Sequence, residues 1–257
     1  MAQKSISSLM TKHGFFLEEA TVEDMLVLLE SLVTNIVSRN DAQIIKSRKI
    51  ILTPFNSKTI PEISIGKYLR RLALGVDVGV DVLINVIAYF IRLKVSTLSI
   101  EANSHIDNFC TVDYPNGIDY TSQIYNCSST YTEFHSVLSS RNPLYHGLFL
   151  NSYNIHRILL TAMTAAQKLS SDFFYKNSSY AKIGGISTEE LNFLEMELLF
   201  LLQFNLFVGQ EEQQRIGEEI LRQYIVCQLE KPAKIPKLLQ VDFSQSKNTR
   251  KTEISTF

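Results

Sequence analysis

The stretch Tyr180–Phe207, YAKIGGISTEELNFLEMELLFLLQFNLF, decides how this chain is read. It joins a glycine pair, Gly184 and Gly185, to a helix start at Ser187 and a long apolar run carrying two acids, Glu195 and Glu197. The glycines mark a turn that needs positive φ, and Ser187-Thr188-Glu189-Glu190 has the S-x-x-E spacing of a capping box. A helix that is apolar on nearly every side belongs in a core, because exposure would leave a large oily patch. Carboxylates inside it then require a partner or a solvent window. No GK[ST] string follows the glycines, so they are not a phosphate loop. The stretch points to a helical module that presents a few polar groups to another protein.

Working outward, Ser152 opens a preceding helix that runs to about Ser170, with Ile155, Ile158, Leu159, Ala162, Ala166 and Leu169 as its buried stripe. Ala162, Ala165 and Ala166 would let another helix approach closely. Further upstream, Thr21 with Asp24 signals a helix start, and Met25, Leu28, Leu29, Leu32, Val33 and Ile36 recur at helical spacing until the polar run Ser38–Asp41. Pro54 and Pro61 keep a connector extended. Ser64 caps the helix IGKYLRRLAL, which stops at Gly75, and an apolar helix follows from about Val78 to Lys94. A last helix is expected from Glu211 to Leu229. Segment 95–147 differs in texture: nine serines, five tyrosines, five acids and one basic residue, Arg141. It reads as an acidic, Ser/Tyr-rich insertion, partly disordered, with one short helix near Tyr131–Leu138. Residues 1–20 and 231–257 read as flexible ends, the latter with six basic and two acidic residues.

Composition narrows the function classes. With 25 basic and 26 acidic residues, the net charge of −1 argues against a surface devoted to nucleic acid. Three widely spaced cysteines form no CxxC or Cys/His cluster, so no metal site or disulfide scaffold is signalled. The longest apolar run, Val78–Leu93, is interrupted by Asp81, Asn85 and Arg92 and makes a poor membrane span. No nucleophile–base set can be assembled, and no cofactor is called for. These features suit a cytoplasmic or nuclear protein without catalytic chemistry.

Three strings in order carry a family resemblance: IPEISIGKYLRRL (60–72), LNSYNIHRILLTAMTAAQKL (150–169) and YAKIGGISTEELNFLEMELLFLLQFNL (180–206). Together they resemble the cyclin box of the Pho-type, or P/U-type, cyclins, and LLESLVTNIVSRND (28–41) looks like the helix that precedes it. The resemblance covers roughly 24–208 apart from the insertion. It implies an all-α fold: a single five-helix cyclin box within 21–208, flanked by the N-terminal helix and by a C-terminal helix at 209–230. It also implies a partner, a cyclin-dependent protein kinase of the Pho type that the chain binds and activates and whose substrate selection it contributes to, with kinase substrates or inhibitors as further partners. Relatives serve cell-cycle entry and phosphate signalling, among other processes.

Carried over residue by residue, the family's lysine of the third box helix falls on Lys168 and its glutamate of the fifth on Glu195. These two bind the kinase, with Tyr68 and Leu72 of the first helix nearby. Arg71 matches an arginine that pairs with a buried aspartate, but Ile91 stands where that aspartate belongs. Asp77 or Asp81 then takes over, or Arg71 turns outward. His156, with Arg157, has a structural role in capping or packing at the helix start; Gly184 and Gly185 make the turn. A cyclin-fold scaffold that binds transcription or trafficking proteins without activating a kinase is the alternative.

Overall fold

The computed structural model describes residues 17–51, 53–93, 111–113 and 148–229. Seven helices appear among them: α1 (Val22–Ser47), α2 (Ile65–Val76), α3 (Val80–Arg92), α4 (Ile155–Ser170), α5 (Asn177–Gly184), α6 (Thr188–Leu201) and α7 (Gln210–Leu229). Two short strands, β1 (Lys49–Ile51) and β2 (Thr111–Asp113), pair antiparallel with Ile50 opposite Val112. The architecture is all-α with this one small ribbon added.

Helix α4 is the centre. Every residue from Ile155 to Gln167 except Arg157 is buried, and the helix packs against α2, α3, α5 and α6. Its small residues Ala162, Ala165 and Ala166 are all buried, as their size allows. Leu169 departs from the expected stripe: it is exposed. The helix also starts at Ile155 rather than Ser152, whose amide and hydroxyl instead donate to Asp41 at 3.1 and 2.5 Å.

That bond explains a second departure. Thr21 and Asp24 form the capping box that opens α1, but the helix continues through Ser38–Asp41 to Ser47. Its polar residues are met by the chain that leads into α4. Asp41 accepts from Ser152, and Asn40, fully buried, donates to the Leu150 carbonyl at 2.7 Å. Residues that weakly disfavour a helix are retained because tertiary partners satisfy them. Likewise Gly75 does not end α2. The helix closes at Asp77, which takes the left-handed conformation at φ 49°.

The two ends of the 95–147 segment meet: the Leu148 amide donates to the Leu93 carbonyl at 3.1 Å. The insertion therefore leaves and re-enters the helical core at one point, so its length costs the core little. Of the insertion, Thr111–Asp113 is a strand; the helix expected at 131–138 lies outside the described residues, as do residues 1–16 and 230–257.

The two glycines at the α5–α6 junction have different tasks. Gly185 adopts φ +79°, which only glycine takes freely. Gly184 is needed for space: a Cβ there would lie 2.2 Å from Leu160 Cδ2. Gly184→Ala is expected to cost about 1–3 kcal/mol through this overlap, measured as a lowered urea midpoint with an unchanged slope.

Candidate protein-docking site

Helices α4 and α6 bring Lys168 and Glu195 together. Lys168 Nζ donates to both carboxylate oxygens of Glu195, at 2.7 and 2.8 Å. Asn177, at the start of α5, donates to Glu195 at 2.7 Å and is within 2.7 Å of the Asn192 side-chain oxygen. The two charged side chains are 27% and 13% exposed, shielded yet reachable from one side. Each retains capacity after pairing, since an ammonium has three protons and a carboxylate four acceptor positions. A partner presenting backbone carbonyl and amide groups can bind both.

The surroundings correct the expectation for α6. The helix is not buried all round: Leu191, Leu194, Glu197 and Leu198 face the core, while Asn192, Glu195, Met196, Leu199 and Phe200 form an outward stripe at helical spacing. Met196 and Phe200 are exposed, and so are Phe204 and Phe207 in the turn beyond. Helix α6 lies at the edge of the bundle, so one apolar face has no cover within the described chain. Glu197 is the acid that enters the core.

The turn after α6 holds its aromatic residues outward. Gln203 and Phe204 both have left-handed backbones, φ 51° and 55°. For non-glycine residues this costs about 1–2 kcal/mol each, and such conformations concentrate at functional positions. Amide bonds from Gln203 to Phe200 O and from Phe204 to Leu199 O, both 2.9 Å, close the helix end. The Phe204 ring then sits edge-on against Phe200, centroids 5.4 Å apart. Arg92, from the end of α3, anchors the same turn. It donates to the carbonyls of Asn205 and Phe207 at 2.7 and 2.8 Å and pairs with Glu212 of α7 at 3.0 Å. Neither Arg92 nor Asn177 was assigned to the site from the sequence, because each acts on a residue distant along the chain.

Beside this face, an open recess of about 490 Å³ lies between the end of α2 and the loop after α4. Asp77 and Asp172 line it together with Phe173, Phe174 and Tyr175, and Phe173 is 92% exposed.

Tyr68 and Leu72 require correction. They are 4% and 2% exposed and belong to the core, not to a docking surface. Spaced i, i+4, they share the inner face of α2 with Leu69 and Val76. The Tyr68 hydroxyl donates to the Gly184 carbonyl at 3.1 Å, and burial pushes its pKa well above the ordinary tyrosine value. Arg71 is exposed and has no ion pair among the described residues, so the outward orientation is the one adopted. Its neighbour Arg70 makes the internal pairs, to Glu23 and Glu30 of α1 at 3.1 and 2.8 Å. The capping box at Ser187 is half formed. Ser187 Oγ accepts from the Glu190 amide at 3.1 Å, whereas the Glu190 carboxylate pairs with Arg157.

His156 is buried and packs. Its Nε2 lies 2.9 Å from the Ile63 carbonyl, and its ring stands 4.9 Å from that of Tyr68. Burial pushes its pKa below the ordinary 6.5, more than the Ile63 hydrogen bond raises it. The unfolded chain therefore binds the proton first as pH falls, and folding stability declines below pH about 6.5. We expect the urea midpoint to drop between pH 7 and 5.5, and a flatter dependence in His156→Gln.

Among the described residues no group of three or more His, Cys, Asp or Glu could hold a metal ion, and no helix is long and apolar enough to cross a membrane. The family profile described as Cyclin matches residues 119–206. PHO85 cyclin-7 of Saccharomyces cerevisiae is 31% identical over 204 residues, covering 75% of this chain and 58% of that protein. PHO85 cyclin-like protein psl1 of Schizosaccharomyces pombe is 44% identical over 102 residues, 38% of this chain and 42% of psl1. Cyclin-U4-1 of Arabidopsis thaliana is 52% identical over 59 residues, 23% of this chain and 29% of that protein. The chain thus spans between 29% and 58% of the length of these relatives. In helical order and in these matches the chain is similar to the Pho-type (P/U-type) cyclins.

Proposed function

We propose that this chain is the non-catalytic regulatory subunit of a cyclin-dependent kinase, which it binds through the face built on Lys168, Glu195 and the outward stripe of α6, and which it activates. The observation that carries the reading is the shielded Lys168–Glu195 pair set among Leu169, Met196, Phe200 and Phe204, all exposed. Apolar anchors around a few partly desolvated polar groups are the anatomy of a specific protein interface. Charge-assisted hydrogen bonds to a kinase helix end would fix orientation. Activation follows if the chain binds the active kinase conformation better than the inactive one, which shifts its population. The recess beside the face offers a place for a further side chain of the kinase or its substrate, and so for a contribution to substrate selection. A cytoplasmic or nuclear setting fits this role.

The test is affinity purification of the tagged chain, wild type beside Lys168→Ala/Glu195→Ala, with protein kinase activity assayed in both eluates. Activity that accompanies the wild type and is lost from the double variant is expected. A stable partner set without kinase activity, unchanged by the substitutions, would overturn the reading and favour a scaffold.

A further inference from the structure

Of the six prolines in the chain, only Pro54 follows a serine or threonine, Thr53. The pair lies in the connector between β1 and α2, in a tight turn. The Asn56 amide donates to the Thr53 carbonyl at 3.0 Å. The amide and hydroxyl of Thr53 both donate to Asn56 Oδ1, at 2.9 and 2.7 Å. Phe55 and Asn56 are buried and hold the turn in place, while Thr53 and Pro54 stay partly open to solvent. The Asn56 carbonyl accepts from Arg157 Nη1, and Nη2 of the same guanidinium pairs with Glu190 in the first turn of α6.

We propose that Thr53 is a phosphoacceptor for a proline-directed serine/threonine kinase, and that its bond to Asn56 sets the rate of modification. Proline at the following position has no N–H to satisfy and biases Thr53 toward an extended backbone, the form in which a kinase binds its acceptor. In the reaction, the γ-phosphoryl group of ATP passes to Thr53 Oγ1. A new P–O bond forms there as the bond to the ADP oxygen breaks, and the hydroxyl proton passes to the base of the attacking kinase. Because that proton is engaged by Asn56 Oδ1, the turn must open before Oγ1 can act. The product carries nearly two negative charges and only acceptor oxygens on that side chain. It cannot remake the hydroxyl's bond to Asn56 Oδ1, so modification weakens the turn, which keeps its two backbone-amide bonds. Arg157, joined to the turn through Asn56, is the cation placed to pair with the phosphate bidentately, and doing so loosens its grip on Glu190.

The experiment treats the full chain with a recombinant proline-directed mitogen-activated kinase and Mg-ATP and maps the label by mass spectrometry. It is independent of whether this chain activates a kinase. Label is expected on Thr53 in the wild type and absent in Thr53→Val. Asn56→Ala, checked for native circular dichroism, should label at least about 2- to 12-fold faster, the factor for releasing the hydroxyl's hydrogen bond alone. Asn56→Asp, which keeps an acceptor and serves if the alanine variant does not fold, should label no faster than wild type. Wild type and Asn56→Ala that both stay unlabelled while a control substrate is consumed would overturn the proposal, as would equal rates in the two. A Pro54→Ala variant labelled as fast as wild type would overturn it too.

Discussion

Alanine at both Lys168 and Glu195 is expected to weaken kinase binding by about 2 kcal/mol or more, the scale of an interface hot spot. That is roughly thirtyfold in dissociation constant. The argument is geometric: one ammonium bonds both oxygens of one carboxylate, at 2.7 and 2.8 Å, on a face that also carries the exposed apolar side chains Met196 and Phe200. Stability should respond in the opposite order from binding. Lys168→Ala alone leaves the Glu195 carboxylate, only 13% exposed, with Asn177 as its remaining partner. It should therefore destabilise the fold more than the double substitution does, by about 1 kcal/mol for a pair still screened by solvent. Titration of purified kinase with each variant, beside urea denaturation of the variants alone, separates the two effects. Equal kinase affinity in wild type and double variant would remove this pair from the interface.

Leu72→Ala has the largest expected effect on the fold itself. Leu72 is 2% exposed and packed within the main apolar cluster, so the substitution should cost about 2–5 kcal/mol through lost burial and the cavity left behind. Against a total stability of about 5–15 kcal/mol, that is a large share. The variant should show a much lower urea midpoint while its folded fraction binds the kinase as wild type does. Weakened binding at full stability would return Leu72 to the docking surface and contradict its buried position.

Much of the helical order was legible from local signals. Apolar spacing in α1 and α4, the N-cap at Ser64 and the positive-φ glycine at Gly185 each depend on residues a turn or two apart, and each appears where the sequence indicated. The Lys168 and Glu195 pairing was legible only because the resemblance supplied a partner 27 residues away. Boundaries were less readable. Asn40 and Asp41 look like a helix end until Leu150 and Ser152 are placed against them. Gly75 likewise looks like a stop until the turn is seen to fall on Asp77.

Which apolar residues stay outside was not readable at all. Tyr68 and Leu72 went to the core, whereas Leu169, Met196 and Phe200 remained at the surface. Periodicity shows that residues share a face; it does not show whether another helix covers that face. By itself the sequence determined a set of amphipathic helices, because periodicity and caps are local, and their cyclin-box order was what the resemblance implied. The tertiary structure alone decided the uncovered side of α6, the outward Arg71 and the anchoring of the aromatic turn by Arg92. Each of these depends on which helices pack together, and therefore on contacts between residues far apart in the chain.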